Sequence, residues 1–234
     1  MSETLRGLEI ILAGGTGGLG SETARLLSRE GARVVASYRS DAVRAAELGD
    51  AATLVQADLS SDADRARLLD AAPSLYGLAV FSGMPARSET LLEESMETNF
   101  LGPIRLAREA AARMKQAGTR GAIVLISTMQ TSTIFANSTA YSAPKAALVH
   151  AAKILAKECR GPADIRVNVI SPGVNDAGMA KASIALGKYA PYLESGAIPR
   201  YGRAADVARA VRFFLEPDDY ITGQVLTVDG GMVM

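Results

Sequence analysis

Seven short apolar runs recur along the chain, at residues 10–13, 32–37, 52–57, 77–82, 121–127, 165–170 and 224–228. Most lack polar alternation, so they suit strands buried on both faces. Stretches with helical spacing separate them, at 21–30, 41–48, 61–71, 91–116, 140–159 and 204–215. Gly31 stops the first helix, Ser40 or Asp41 caps the second, and Ser61 caps the third. Pro103 falls inside the fourth and predicts a bend there. Strands alternating with helices give an α/β fold. It is a doubly wound sheet of about seven parallel strands, with helices on both faces and right-handed crossovers. Residues 174–203 break the rhythm with Gly178, Gly187, Pro191, Gly196 and Pro199, leaving room for one short helix at 179–186. A long loop beside strand ends reads as a substrate lid, and otherwise as a surface excursion without function.

A length of 234 residues fits one domain across 1–234, with no linker, repeat or low-complexity segment. Lysine plus arginine number 25 against 25 aspartate plus glutamate, and the basic residues are scattered. That balance gives no reason to expect nucleic acid or an anionic membrane as partner. The single cysteine, Cys159, excludes an internal disulfide. With one histidine, His150, no metal site is expected, and both residues read as structural. The first residues are charged, with no apolar core of a signal peptide, and no apolar run approaches the roughly eighteen residues of a membrane span. The expected compartment is the cytoplasm.

The first strand leads into Gly14, Gly18 and Gly20 at GxxxGxG spacing, with Thr16, Gly17 and Leu19 filling the turn, and then into a helix. A strand, a glycine turn and a helix N-terminus make a phosphate site. Unpaired N–H groups and the positive end of the helix dipole face an anion there, and a Cβ would hold the backbone away from it. Dinucleotide sites that take NAD usually carry an acidic residue at the end of the second strand. Here that strand ends Ser37-Tyr38-Arg39. A guanidinium fork suits a ribose 2′-phosphate, so NADP is expected over NAD. Asp41 is the competing ribose ligand, more simply explained as an N-cap. Asp58 and Leu59 end the third strand where adenine should lie, and Asp58 either accepts from the adenine amino group or caps the next helix.

Tyr141 and Lys145 stand four apart in a helical stretch, which stacks them on one face. A phenol has a pKa of about 10, and a neighbouring ammonium pulls it toward the working range. Thr128 follows the fifth strand and can donate a hydrogen bond to a substrate oxygen. Asn99 can hold a water near Lys145.

With these residues in place, the chain resembles the short-chain dehydrogenase/reductase family from about Leu8 to Gly231. Gly14, Gly18 and Gly20 match its TGxxxGxG turn, with Ala13 for the Thr. Tyr141 and Lys145 match its YxxxK pair, and Asn99 matches the Asn of its catalytic tetrad. Thr128 stands where the family usually has Ser, with Ser127 as a substitute if the loop is shifted by one. Pro172-Gly173 matches its PG motif, with Val174 following. Residues 221–224 and 228–231 match its C-terminal signature, and Arg39 falls where NADP-preferring members are basic. Two features depart. The NNAG motif reads Val80-Phe81-Ser82-Gly83, and the Thr after PG is absent, with Asn175 as its replacement or as a loop cap.

The resemblance implies hydride transfer between NADP(H) and a carbonyl/alcohol pair, with Ser82, Gly83, Pro172, Gly173 and Val174 beside the cofactor. In it Tyr141 is the general acid/base, Lys145 lowers its pKa and binds ribose, Thr128 steadies the oxygen, and Asn99 supports a water relay. A ketoreductase acting on a partly apolar small molecule, with 3-oxoacyl thioesters as one candidate, is the expected activity. The alternatives are a weakly catalytic NADP-binding sensor and an isomerase or dehydratase that recycles its cofactor. Family members often form tetramers through the two alanine-rich helices, so a homo-oligomer, dimer or tetramer, is expected.

Overall fold

The computed structural model describes residues 4–217 and 220–234. Seven parallel strands form one sheet: β1 (Glu9–Ala13), β2 (Arg33–Tyr38), β3 (Thr53–Gln56), β4 (Leu75–Val80), β5 (Ala122–Ile126), β6 (Arg166–Pro172) and β7 (Val225–Val228). Their order is β3-β2-β1-β4-β5-β6-β7. The order reverses between β1 and β4, so a crevice opens at the carboxyl ends of those two strands.

The apolar runs are uninterrupted because both faces are covered. Along β1, Ile11 and Ala13 join a core with Leu68, Leu106, Met114 and Leu155. Ile10 and Leu12 join the opposite core with Leu27, Val207, Val211 and Phe214. The first layer is built by α3 (Asp62–Asp70), α5 (Gly102–Ala117) and α6 (Thr139–Glu158), the second by α1 (Gly18–Arg29) and α9 (Ala204–Leu215). Among the described residues, no helix is long and apolar enough to cross a membrane.

Local chemistry explains most boundaries. Asp41 accepts from Arg44 N at 2.9 Å and caps α2 (Ala42–Ala46), which ends two residues earlier than expected. Ser61 accepts from Asp64 N at 3.2 Å and caps α3. The stretch expected as one bent helix is α4 (Leu92–Met96), a π turn (Glu97–Leu101) and α5. Pro103 has no N–H to offer the carbonyl four residues back, on Asn99, and a wider turn absorbs the mismatch.

Residues 174–203 are more structured than the expected single helix. They hold a 3₁₀ turn (Gly178–Ala180), α7 (Lys181–Ala185) and α8 (Ala190–Glu194). Asn175 and Gly202 pair as an isolated bridge that closes their base. Their apolar side chains form a small core of their own: Val174 and Ile198 pack with Met129 and Met232.

Candidate active site

A groove of about 830 Å³ runs along the carboxyl ends of the strands. Every residue assigned above to the cofactor lines it except Val174. Val174 joins the small core with Ile198 instead and borders a second cavity of about 460 Å³. Its side chain is apolar, so burial beside Ile198 outweighs exposure to a nucleotide.

The groove fits a pyrophosphate. α1 begins at Gly18, three residues before the expected start, because the glycine turn itself supplies its first N–H groups. Gly17 caps it without a side-chain acceptor, and no acidic residue occupies the first turn. Those donors are left for an anion. Gly14 has φ +71°, and a Cβ on it would lie 2.9 Å from Ser82 N. Ser37, which sequence reasoning missed, buttresses the turn: its Oγ accepts from Gly14 N at 3.0 Å.

At the far end Arg39 and Arg44 both line the groove, and both are exposed. Arg44 carried no motif, and its place in α2 brings it to the same groove as Arg39. Asp41 is committed to the cap of α2. The Asp58 carboxylate accepts from Ser60 N and Ser60 Oγ, at 2.9 and 2.8 Å, so it braces the turn into α3 while lining the groove.

Thr128 and Tyr141 line both cavities, which places them where the two meet. Burial raises the Tyr141 phenol above its ordinary pKa. A hydrogen bond with the Thr128 side chain pulls it partly back, and the Tyr189 phenol pushes it up again. Ser127 lines the groove but not the second cavity, and its Oγ donates to the Lys145 carbonyl at 3.2 Å.

Lys145 is 3% exposed, and burial lowers its pKa to about 8. Its Nζ donates to the Ile126 carbonyl at 2.9 Å. The sequence led us to expect the ammonium to lower the Tyr141 pKa; burial is the largest influence on the phenol and lifts it.

Asn99 is fully buried and lines neither cavity. Its Oδ1 accepts from Met84 N at 3.0 Å, and its Nδ2 donates to Met84 O at 3.1 Å and Ser95 Oγ at 2.7 Å. The amide therefore clasps the loop after β4, where this chain lacks the two asparagines of NNAG. These bonds give the side chain a structural role. Asn175 behaves similarly, donating to the Gly173 carbonyl at 2.9 Å as a loop cap, although it also lines the groove.

Residues 13–233 match the family model described as enoyl-(acyl carrier protein) reductase. The chain belongs to the short-chain dehydrogenase/reductase family. This short-chain dehydrogenase/reductase is 30% identical to the NADPH-dependent aldehyde reductase 2, chloroplastic, of Arabidopsis thaliana, over 98% of this chain and 95% of that one. It is 28% identical to a 3-oxoacyl-[acyl-carrier-protein] reductase of Mycobacterium bovis, over 96% and 92%. Among solved structures, a short-chain type dehydrogenase/reductase from Mycobacterium ulcerans superposes with a TM-score of 0.88 at 26% identity, covering 98% of this chain and 91% of that chain. Oxidoreductase chemistry on a C=O/CH–OH pair is therefore the class of this enzyme.

Proposed function

We propose that this enzyme reduces a ketone to an alcohol with NADPH, Tyr141 acting as the proton donor. The observation that carries the reading is the placement of the Tyr141 phenol at the junction of the nucleotide groove and the second cavity. NADP is the cofactor: two guanidinium groups line the adenine end of the groove, and the Arabidopsis relative is named for NADPH dependence. When bound, NADPH supplies the hydride.

The protein groups do the rest. Burial keeps the phenol protonated at neutral pH, which favours proton donation to a carbonyl oxygen over proton abstraction from an alcohol. Thr128 hydrogen-bonds the oxygen on which charge develops. Lys145, anchored on Ile126 O, presents an ammonium beside Gly83 for the ribose hydroxyls. Asn99 positions the Gly83-Met84 backbone rather than touching a reactant. Residues 174–203 act as the substrate lid, and a homo-oligomer joined through α5 and α6 completes the reading.

The test is loss of reduced-nicotinamide absorbance with a panel of ketones and 3-oxoacyl thioesters, the latter motivated by the M. bovis relative's name. NADPH and NADH are run side by side, with Tyr141→Phe as control. Turnover with NADPH that the variant lacks is expected. Faster turnover with NADH would remove the Arg39 and Arg44 assignment. Tight NADPH binding without turnover of any substrate would favour a sensing role.

A further inference from the structure

The second cavity carries charge of one sign. Its lining includes Arg87 and Lys188 and no aspartate or glutamate. Arg87 lies in the loop after β4, and Lys188 lies in the lid between α7 and α8. They are about a hundred residues apart in sequence and meet at one side chain, Tyr189. Lys188 Nζ lies 5.6 Å from the Tyr189 ring centroid. Burial raises the Tyr189 phenol, and the Arg87 charge is near enough to oppose that rise. Tyr189 in turn is close enough to Tyr141 for its charge to disfavour ionisation there. A single aromatic residue thus stands between the proton donor and two cations.

Exposed cations are ordinarily solvated and carry no message. These two differ from most of the arginines on this surface, which have carboxylates set against them. Arg33 meets Glu9 at 3.0 Å, Arg105 meets Glu97 at 2.7 Å, Arg113 meets Asp70 at 2.7 Å, and Arg200 meets Asp206 at 2.7 Å. Among the described residues Arg87 and Lys188 have no carboxylate partner. Arg39 and Arg44, at the end of the groove that suits a phosphate, have none either. Two like charges facing one partly apolar cavity repel each other and raise the local concentration of anions. The arrangement is stabilised when an anion enters between them.

We propose that the substrate carries an anionic group remote from its carbonyl, a carboxylate or a phosphate, held by Arg87 and Lys188 while the carbonyl reaches Tyr141. This deepens the reductase reading and rests on it. A free oxo acid supplies a carboxylate, and a phosphopantetheine or coenzyme A thioester supplies a phosphate. In both cases Tyr189 packs against the chain linking the two ends.

The test is calorimetric titration of the NADP⁺-loaded protein, in which no hydride is available and binding is read without turnover. The ligands are matched pairs: acetoacetate and levulinate against their methyl esters, and acetoacetyl-coenzyme A against the uncharged acetoacetyl-N-acetylcysteamine. The charged member is expected to bind at least tenfold tighter in one class of pair. The double variant Arg87→Gln/Lys188→Gln should bring that ratio near one, with the loss falling on the charged member. Arg87→Lys, which keeps the charge, should retain most of it, and thermal midpoints confirm that each variant folds. A preference confined to the oxo acids assigns a carboxylate, and one confined to the coenzyme A pair assigns a phosphate. Equal binding within every pair, or a ratio unchanged in the double variant, overturns the proposal. Turnover of the neutral esters without charge preference would leave the reductase reading intact while removing this one. A charge preference without NADPH consumption by any ligand would do the reverse.

Discussion

Gly18, in the phosphate turn, lies directly beneath Gly178, in the lid. A Cβ on Gly18 would sit 2.5 Å from Gly178 N and 2.9 Å from its Cα, both backbone atoms that cannot swing aside. Gly178 holds φ +55°, so the lid reaches this contact in a left-handed conformation. Gly18→Ala should therefore lift the lid from the turn. Limited proteolysis without cofactor should cut residues 174–203 faster in the variant. Gly178→Ala meets nothing nearer than 3.9 Å in place, so its cost is the backbone strain alone, about 1–2 kcal/mol. Equal lid cleavage in wild type and Gly18→Ala would rule out the contact as a closure point.

Tyr141→Phe removes the proton donor and should lower the reduction rate by about 10²–10⁴-fold with NADPH binding retained. Thr128→Val keeps the shape but loses the hydroxyl, and a fall of about 10²-fold or more in kcat is expected. Thr128→Ser restores the hydroxyl and should recover most of the rate. Steady-state kinetics with fluorescence titration of NADPH separates these effects.

Lys145 gives the protein a pH signature. Its folded pKa, about 8, lies below the ordinary lysine value of 10.5. The unfolded chain then holds the proton more tightly between those values, so stability rises as pH climbs from about 8 toward 10. Tyr141, raised in the fold, acts oppositely only above about pH 10. The Cys159 thiol, raised by burial, opposes this above about pH 9 in both proteins, so the urea midpoint at pH 10 relative to pH 8 should be higher in wild type than in Lys145→Met.

Arg39 and Arg44 should divide the cofactors. Arg39→Ala should raise KM for NADPH about tenfold and leave KM for NADH nearly unchanged, as expected for one charge-assisted bond at an exposed site. Arg44→Ala should act in the same direction. Similar losses with both nucleotides would place the guanidinium groups elsewhere than on a 2′-phosphate.

Asn99 distinguishes a clasp from a relay. Asn99→Ala strands the Met84 N–H and C=O that it now satisfies. Unpaired buried groups cost about 1–3 kcal/mol each, so a clear drop in thermal midpoint is expected together with weaker NADPH binding. A fall in kcat alone, with stability and KM unchanged, would restore the relay role.

Much of this protein was legible in the chain because the signals are local. Continuous apolar runs suit strands covered on both sides, and the strand, turn and helix order around Gly14 to Gly20 suits an anion site. The Tyr141 and Lys145 spacing needs only one helix to become a shared face. Asp41 and Ser61 were legible as caps for the same reason, since a cap bonds within three residues. The π turn was partly legible: Pro103 marked the bend, but the wider turn depends on how the helix packs.

The tertiary structure decided what depends on partners distant in sequence. Burial, which raises the Tyr141 phenol and lowers the Lys145 ammonium, comes from packing between distant elements, and Lys145 is anchored on a carbonyl 19 residues away. Asn99 became a clasp because the loop after β4 lies against it. Arg44 became a second cation at the groove because α2 places it there, and Arg87 and Lys188 come to line one cavity only through the tertiary fold. No local pattern encodes such meetings, since each is fixed by packing between elements whose separation along the chain carries no spacing rule.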